Sequence, residues 1–359
     1  MGQDQSSRSG IIRLVIPLAS ALVCITSLLQ YFYANPLFSC ETLMNSEAIT
    51  ENTGKRSDGN DNDNAKNRRY LNYFQTYRYI PPLSRNDSHA VVPNKQCGSF
   101  PDFESYFQKG YTERSSGANE DKIIFETFFK PYLQTVEDLR HFRGTYVELG
   151  AFDGIRESNS RFFDDCLGWN GLLIEGNPLK YIELIPNRPF SNKMSMAPSC
   201  KEGGSTIQFW VSPFTNAGLE GKALAYVNTT AVSVPCGPFT PILIDVFDGY
   251  ESINFMSLDV EGAEYLVLET MDFAAIPRID ILMIEAENMF CKPNKDCLVR
   301  NQVRERMHRE GYLRYSGYIA RSDVYVHPKS RFQMPPSGAQ TLSDDPTNSS
   351  TLQSFNVST

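Results

Sequence analysis

The sequence predicts an α/β domain whose core is a parallel sheet covered by helices on both faces. Three observations point there. Apolar runs of strand length alternate with segments of helical periodicity between residues 96 and 330. Three of those runs stop at an acidic residue, Glu175, Asp259 or Glu285, so acids gather at one end of the predicted strands. A further run, 145–149, leads into Gly-Ala-Phe-Asp-Gly from Gly150 to Gly154, a turn of the kind that joins a strand to a helix.

Taken from the N-terminus, the first element is a membrane span. No residue from Leu14 to Cys40 is charged, and 14–33 is dominated by aliphatic and aromatic residues. About 20 apolar residues at a rise of about 1.5 Å match a hydrocarbon core of about 30 Å. Arg8 and Arg13 precede the span, whereas Glu41, Glu47 and Glu51 follow it, so the positive-inside rule assigns 1–13 to the cytoplasm. The apolar stretch is longer than the core of a cleaved leader, and no small-x-small cleavage site follows it. The expectation is a signal-anchor over 14–34. It makes the chain a single-pass type II membrane protein of the endoplasmic reticulum or Golgi, with its domain in the lumen. Asn86, Asn228, Asn348 and Asn356 each open a glycosylation triplet, and seven of the eight cysteines lie beyond the span. Cys291 and Cys297 bracket a short Pro-Asn loop that is able to close on itself; the remaining pairings stay open.

Residues 35–95 read as a stem. Within it 45–67 is rich in Asn, Asp, Ser and Gly and has too little apolar surface to fold, whereas the aromatic stretch 70–79 is suited to packing on the domain. Residues 331–359 are rich in Ser, Thr, Asn and Pro and read as a disordered tail. The folded domain is then 96–330.

Inside the domain the elements follow in order. Ile124, Phe125, Phe128, Phe129 and Leu133 are spaced three or four apart and predict a helix over 123–140. A strand over 145–149, the glycine turn and a helix over 158–166 come next. A strand over 172–174 ends at Glu175 and a helix over 179–185 follows. Runs 207–211 and 232–234 suit strands, the second within an antiparallel insertion. Strand 253–258 ends at Asp259 and helix 263–271 succeeds it. Strand 279–284 ends at Glu285, and helix 302–310 closes the pattern. Ligands of such sheets bind beyond the carboxyl ends of the strands.

The glycine turn is not the Gly-x-Gly-x-x-Gly of dinucleotide folds, and no Lys-Ser/Thr phosphate cradle follows it, so a P-loop is excluded. Glu175 stands where an acid accepts hydrogen bonds from two ribose hydroxyls. A nucleoside without phosphates but with a positive end describes S-adenosylmethionine. Here the residues resemble a known family. VELGAFDG from Val147, SNS from Ser158, GWNGLLIEGNP from Gly168 and FMSLDVEGAE from Phe255 occur in the order and spacing of FkbM-type S-adenosylmethionine-dependent methyltransferases. The resemblance spans residues 122–287 and implies a Rossmann-like class I methyltransferase sheet. It also implies that Glu148, Gly150, Asp153 and Gly154 contact the methionine part, Glu175 the ribose, Asn177 the nucleoside, and 195–197 the adenine. Many bacterial relatives carry Lys two positions before the Asp of the DxEGxE motif, where this chain has Ser257.

Asp259 and Glu261 are the candidate catalytic residues, placed to orient an acceptor hydroxyl and take its proton. Glu264, in the first turn of the following helix, complements the helix dipole. Asp259, Glu261 and Glu285 have the hardness to hold a divalent cation, but nothing in the sequence shows that they converge, and no metal ligand is assigned. With 34 Lys plus Arg against 42 Asp plus Glu, a net charge of −8 argues against a nucleic-acid partner. The implied activity is methyl transfer to the hydroxyl of a glycan or other small molecule in the secretory lumen. The alternative is a catalytically inactive, methyltransferase-like membrane protein that binds or traffics partner proteins.

Overall fold

The computed structural model describes residues 61–85, 97–108, 116–215, 217–219, 230–286 and 298–332. The predicted anchor and cytoplasmic segment, the asparagines of the four glycosylation triplets, Cys40, Cys291 and Cys297, and residues 333–359 of the tail lie outside them. Among the described residues no helix is long and apolar enough to cross a membrane.

Ten strands make two sheets. Those of the large sheet are β1 (Thr145–Leu149), β2 (Asn170–Glu175), β3 (Asn192–Ser195), β7 (Ser252–Leu258), β8 (Arg278–Glu285), β9 (Leu313–Ile319) and β10 (Ser322–Val326). They lie in the order β3-β2-β1-β7-β8-β10-β9. The first five run parallel, and the β9–β10 hairpin adds antiparallel to β8. Between β3 and β7 the chain leaves to build a second, antiparallel sheet of β4 (Ser205–Val211), β5 (Gly218–Leu219) and β6 (Thr230–Cys236), ordered β5-β4-β6. The strand order of the large sheet reverses between β1 and β7, which makes their carboxyl ends the topological switch point.

Both faces of the large sheet are covered, so its central strands are apolar throughout rather than alternating. Tyr146, Leu173, Phe255 and Ile281 face an aromatic layer of Phe125, Phe129, Phe162, Phe163 and Trp169. Val147, Leu149, Leu172, Met256 and Leu282 face the other way, against Leu243, Leu268 and Val303. The helices are α1 (Asp61–Tyr77), α2 (Glu104–Phe107), α3 (Glu120–Ile124), α4 (Val136–His141), α5 (Arg161–Asp165), α6 (Pro178–Asn187), α7 (Thr240–Val246), α8 (Glu264–Glu269) and α9 (Leu298–Arg309).

The structure departs from the sequence reading at several elements. The helix expected over 123–140 is two helices. α3 runs into a π-turn, Phe125–Phe129, and Pro131, which has no N–H to donate, follows at once. α4 then restarts on a capping box between Thr135 and Asp138. The helix expected over 158–166 begins only at Arg161, because Ser158, Asn159 and Ser160 are hydrogen-bonded to Glu148 instead of to a helical turn. Residues 70–79 pack on the domain as their aromatic composition indicates, but the element is longer than expected, since α1 begins at Asp61, inside the stretch 45–67 read as a spacer. Tyr73, Tyr77 and Tyr79 are buried, and the Tyr73 hydroxyl donates to Asp245 at 2.6 Å. Lys66 and Arg69 pair with Asp248 and Asp245. Beyond α1, Ile80 exchanges backbone hydrogen bonds with Lys193 on the edge strand β3, at 2.9 and 3.0 Å. The packed unit therefore starts well before residue 96. Disulfides join Cys97 to Cys166 and Cys200 to Cys236.

Candidate active site

A cleft lies across the carboxyl ends of the parallel strands, where ligands of such sheets bind. β1 contributes Leu149, Gly150 and Phe152; β2 contributes Ile174, Glu175 and Gly176; Met196, Ala197, Pro198 and Ser199 follow β3. Phe209 and Leu219 of the small sheet complete an apolar wall beside them. At the other end stand Asp259, Val260, Glu261 and Ala263 after β7, with Glu157 and Arg321. The cleft is thus polarised, apolar at the β3 end and acidic at the β7 end.

Gly150 holds φ +82, and a Cβ there would lie 1.9 Å from the Asp259 carbonyl oxygen. The turn after β1 and the end of β7 touch at this point, and only glycine fits between them. Glu175 is buried. One carboxylate oxygen accepts from the Phe152 N–H at 2.7 Å and the other from the Asn177 N–H at 2.6 Å. Burial pushes its carboxyl up to about 7, against the pull of those two N–H groups. Each oxygen keeps a lone pair for a further donor.

The acidic end is a set of mutually raised carboxyls. The β7–β8 register sets Leu258 opposite Ile284, so Asp259 and Glu285 leave adjacent strand ends, and their side chains share a hydrogen bond. Burial raises both, and Glu285 is raised further by the charges of Asp259, Glu264 and Glu261. Burial and then Asp259 lift Glu261 to about 8. Glu264 is lifted to about 7 by burial, and one of its oxygens accepts from the Val260 and Gly262 N–H groups, closing the turn that carries Glu261. Arg321, on the β9–β10 turn, is 3.3 Å from Glu285; it is the one cation among the described lining residues. Among the described residues no group of three His, Cys, Asp or Glu is arranged to hold a metal ion.

Residues 148–314 match the family model of the methyltransferase FkbM domain. This stretch is similar to the FkbM methyltransferase domain. No curated protein matches the chain.

Within the matched domain, Gly150, Glu175, Asp259 and Glu261 line the cleft, and of the expected adenine neighbourhood Met196 and Ala197 do so. Four other expected contacts are not among the lining residues, because the protein itself takes up their side chains. Glu148 is buried beneath the turn and accepts from Ser158, Ser160 and the Asn159 N–H. Asp153 caps its own turn, accepting from the Ile155 and Arg156 N–H groups and the Arg156 side chain. Gly154 makes room for Leu184 and Arg188, which a Cβ would meet at 2.5 and 2.7 Å. Asn177 caps α6 through the Leu179 N–H and donates to the Ser212 carbonyl. Sequence reasoning missed Phe152, Phe209 and Arg321. Phe152, at φ +49, stands inside the glycine turn, with Lys180 4.7 Å and Arg156 5.0 Å from its ring centroid. Its position between two glycines was the available signal. Nothing local in the sequence marks Arg321 or Phe209, which reach the cleft only through tertiary folding.

Proposed function

We propose that this domain is an S-adenosylmethionine-dependent O-methyltransferase acting on a hydroxyl of a glycan or other small molecule. The observation that carries the reading is the polarity of the cleft. An apolar wall of Met196, Ala197, Pro198, Phe209 and Leu219 suits an adenine. The half-used carboxylate of Glu175 at the end of β2 suits two ribose hydroxyls. The acidic end beyond β1 suits the ammonium and sulfonium charges of the methionine part. When bound, S-adenosylmethionine supplies an electrophilic methyl group. The chain's own part is to align the acceptor oxygen and to receive its proton at Asp259 or Glu261.

The sequence features of the N-terminal region support a lumenal setting, with the domain held at the membrane through residues 14–34. The Cys97–Cys166 and Cys200–Cys236 disulfides agree with an oxidising compartment. The binding-only alternative draws on Ser257 in place of lysine. Ser257 is buried, receives a hydrogen bond from Asn159 at 3.1 Å and is not among the lining residues, so the cleft is complete without a cation there. The test is transfer of labelled methyl from S-adenosylmethionine to a panel of free glycans and small alcohols. Asp259→Ala is expected to lose transfer while still binding the cofactor, more weakly than the parent because one carboxyl of the acidic end is gone. Full transfer by Asp259→Ala would remove Asp259 from its assigned role.

A further inference from the structure

We infer that Arg188 is a positioning residue for the cofactor cleft: with Glu148 it fastens the 150–160 segment that forms the β1 wall. The ligand assigned to that wall rests on the function proposed above; the fastening rests on geometry alone. Arg188 follows α6, and its side chain is fully buried. A buried guanidinium has to find partners for its five N–H groups. Nε donates to Asp164 at 2.7 Å, one terminal nitrogen to the Gly154 carbonyl and Ser158 at 3.3 and 3.1 Å, and the other to Tyr146 and Ser160 at 2.7 and 3.2 Å.

Glu148 accepts from the same two serines and from the Asn159 N–H between them, at 2.8, 2.6 and 2.6 Å. Its carboxylate lies 4.0 Å from Arg188. Ser158 and Ser160 are therefore held from two sides by an oppositely charged pair. The segment needs such a hold because regular structure supplies little. Gly150, Phe152, Gly154 and Glu157 all have positive φ, and Phe152 and Glu157 line the cleft. Charge balance extends outward: Asp164 also pairs with Arg85, which belongs to the segment ahead of the domain match. The grip thus ties the cleft wall to the strap that follows α1. Lysine cannot replace this arginine, since an ammonium has three donors and no fork.

The test uses the full-length protein with Arg188→Lys and, as a milder change, the double variant Ser158→Ala/Ser160→Ala. Hydrogen exchange of the ligand-free protein is read across 150–160 and across β7 and β8. S-adenosylmethionine affinity is read by calorimetry. Both variants are expected to exchange faster across 150–160 while β7 and β8 keep their protection, and to bind the cofactor ~10-fold or more weakly. Unchanged exchange across 150–160 overturns the inference. If Arg188→Lys loses protection everywhere, the serine variant decides by the same criterion. Absence of binding by the unaltered protein would count against the proposed cofactor, and the exchange comparison would still decide the role of Arg188.

Discussion

Gly150 and Glu175 show how differently two residues of one cleft are constrained. Gly150 is fixed by backbone: it combines φ +82 with a Cβ position 1.9 Å from the Asp259 carbonyl oxygen. Gly150→Ala is therefore expected to cost about 3 kcal/mol or more, by strain and by pushing β7 away from β1. Denaturant unfolding of the variant measures this, and a loss under 1 kcal/mol would mean that the turn yields easily. Glu175 is fixed by chemistry, and Glu175→Gln keeps its shape while losing its charge and one acceptor. Residue type identified both in the sequence, since a glycine after a strand and an acid at a strand end each carry a mechanism. The other four expected contacts do not line the cleft, and for one physical reason. Glu148, Asp153, Gly154 and Asn177 hold the turn together from within, and a sequence shows which residues are near a ligand without showing which way they face.

Among the elements, those with a strong local pattern were legible: β1, β2, β7 and β8 end where their apolar runs end. The π-turn with Pro131 was not, because the spacing of Phe125, Phe128 and Phe129 satisfies a continuous helix as well as a broken one. The strands β9 and β10 were missed because they are defined by pairing, β10 with β8 and β9 with β10, rather than by their own composition. The strap formed by α1 and Ile80 was legible in part: the tyrosines of 70–79 marked it for packing on the domain, whereas the polar residues before them gave no sign that the helix starts at Asp61. A chain starting at Gln96 would leave the edge of β3 uncovered and is expected to aggregate or to melt well below the full-length protein. Equal melting temperatures for the two would show the strap to be dispensable. The Cys200–Cys236 disulfide staples the chain just after Ser199 to the end of β6, where the Ala197 N–H bonds to the Pro235 carbonyl. Closing a loop of 36 residues is worth roughly 4 kcal/mol in chain entropy. Replacing both cysteines by alanine should therefore lower unfolding free energy by a few kcal/mol and weaken cofactor binding at the apolar wall; unaltered affinity would separate the disulfide from the site.

For the whole molecule, the cleft sets a pH dependence. Glu175 and Glu264 titrate near 7 and Glu261 near 8 in the folded state, against about 4.3 for an unfolded glutamate. Between those values the folded state binds more protons than the unfolded one, so these groups make stability fall as pH rises from about 5 to 8. Each proton involved contributes a slope of up to about 1.4 kcal/mol per pH unit. Thermal unfolding of the ligand-free protein across that range should show the decline, and Glu261→Gln should flatten it. A profile that rises toward pH 8 would mean that the carboxyls are ionised without penalty. A cation bound among them would favour their ionised forms, so protection by S-adenosylmethionine is expected to grow with pH. The central claim is that the cleft holds this cofactor, and calorimetric titration of the full-length protein with S-adenosylmethionine tests it most directly. Micromolar binding at neutral pH that weakens at least tenfold in Glu175→Ala is the predicted result. No heat of binding from protein that unfolds cooperatively, or equal binding by Glu175→Ala, would contradict it.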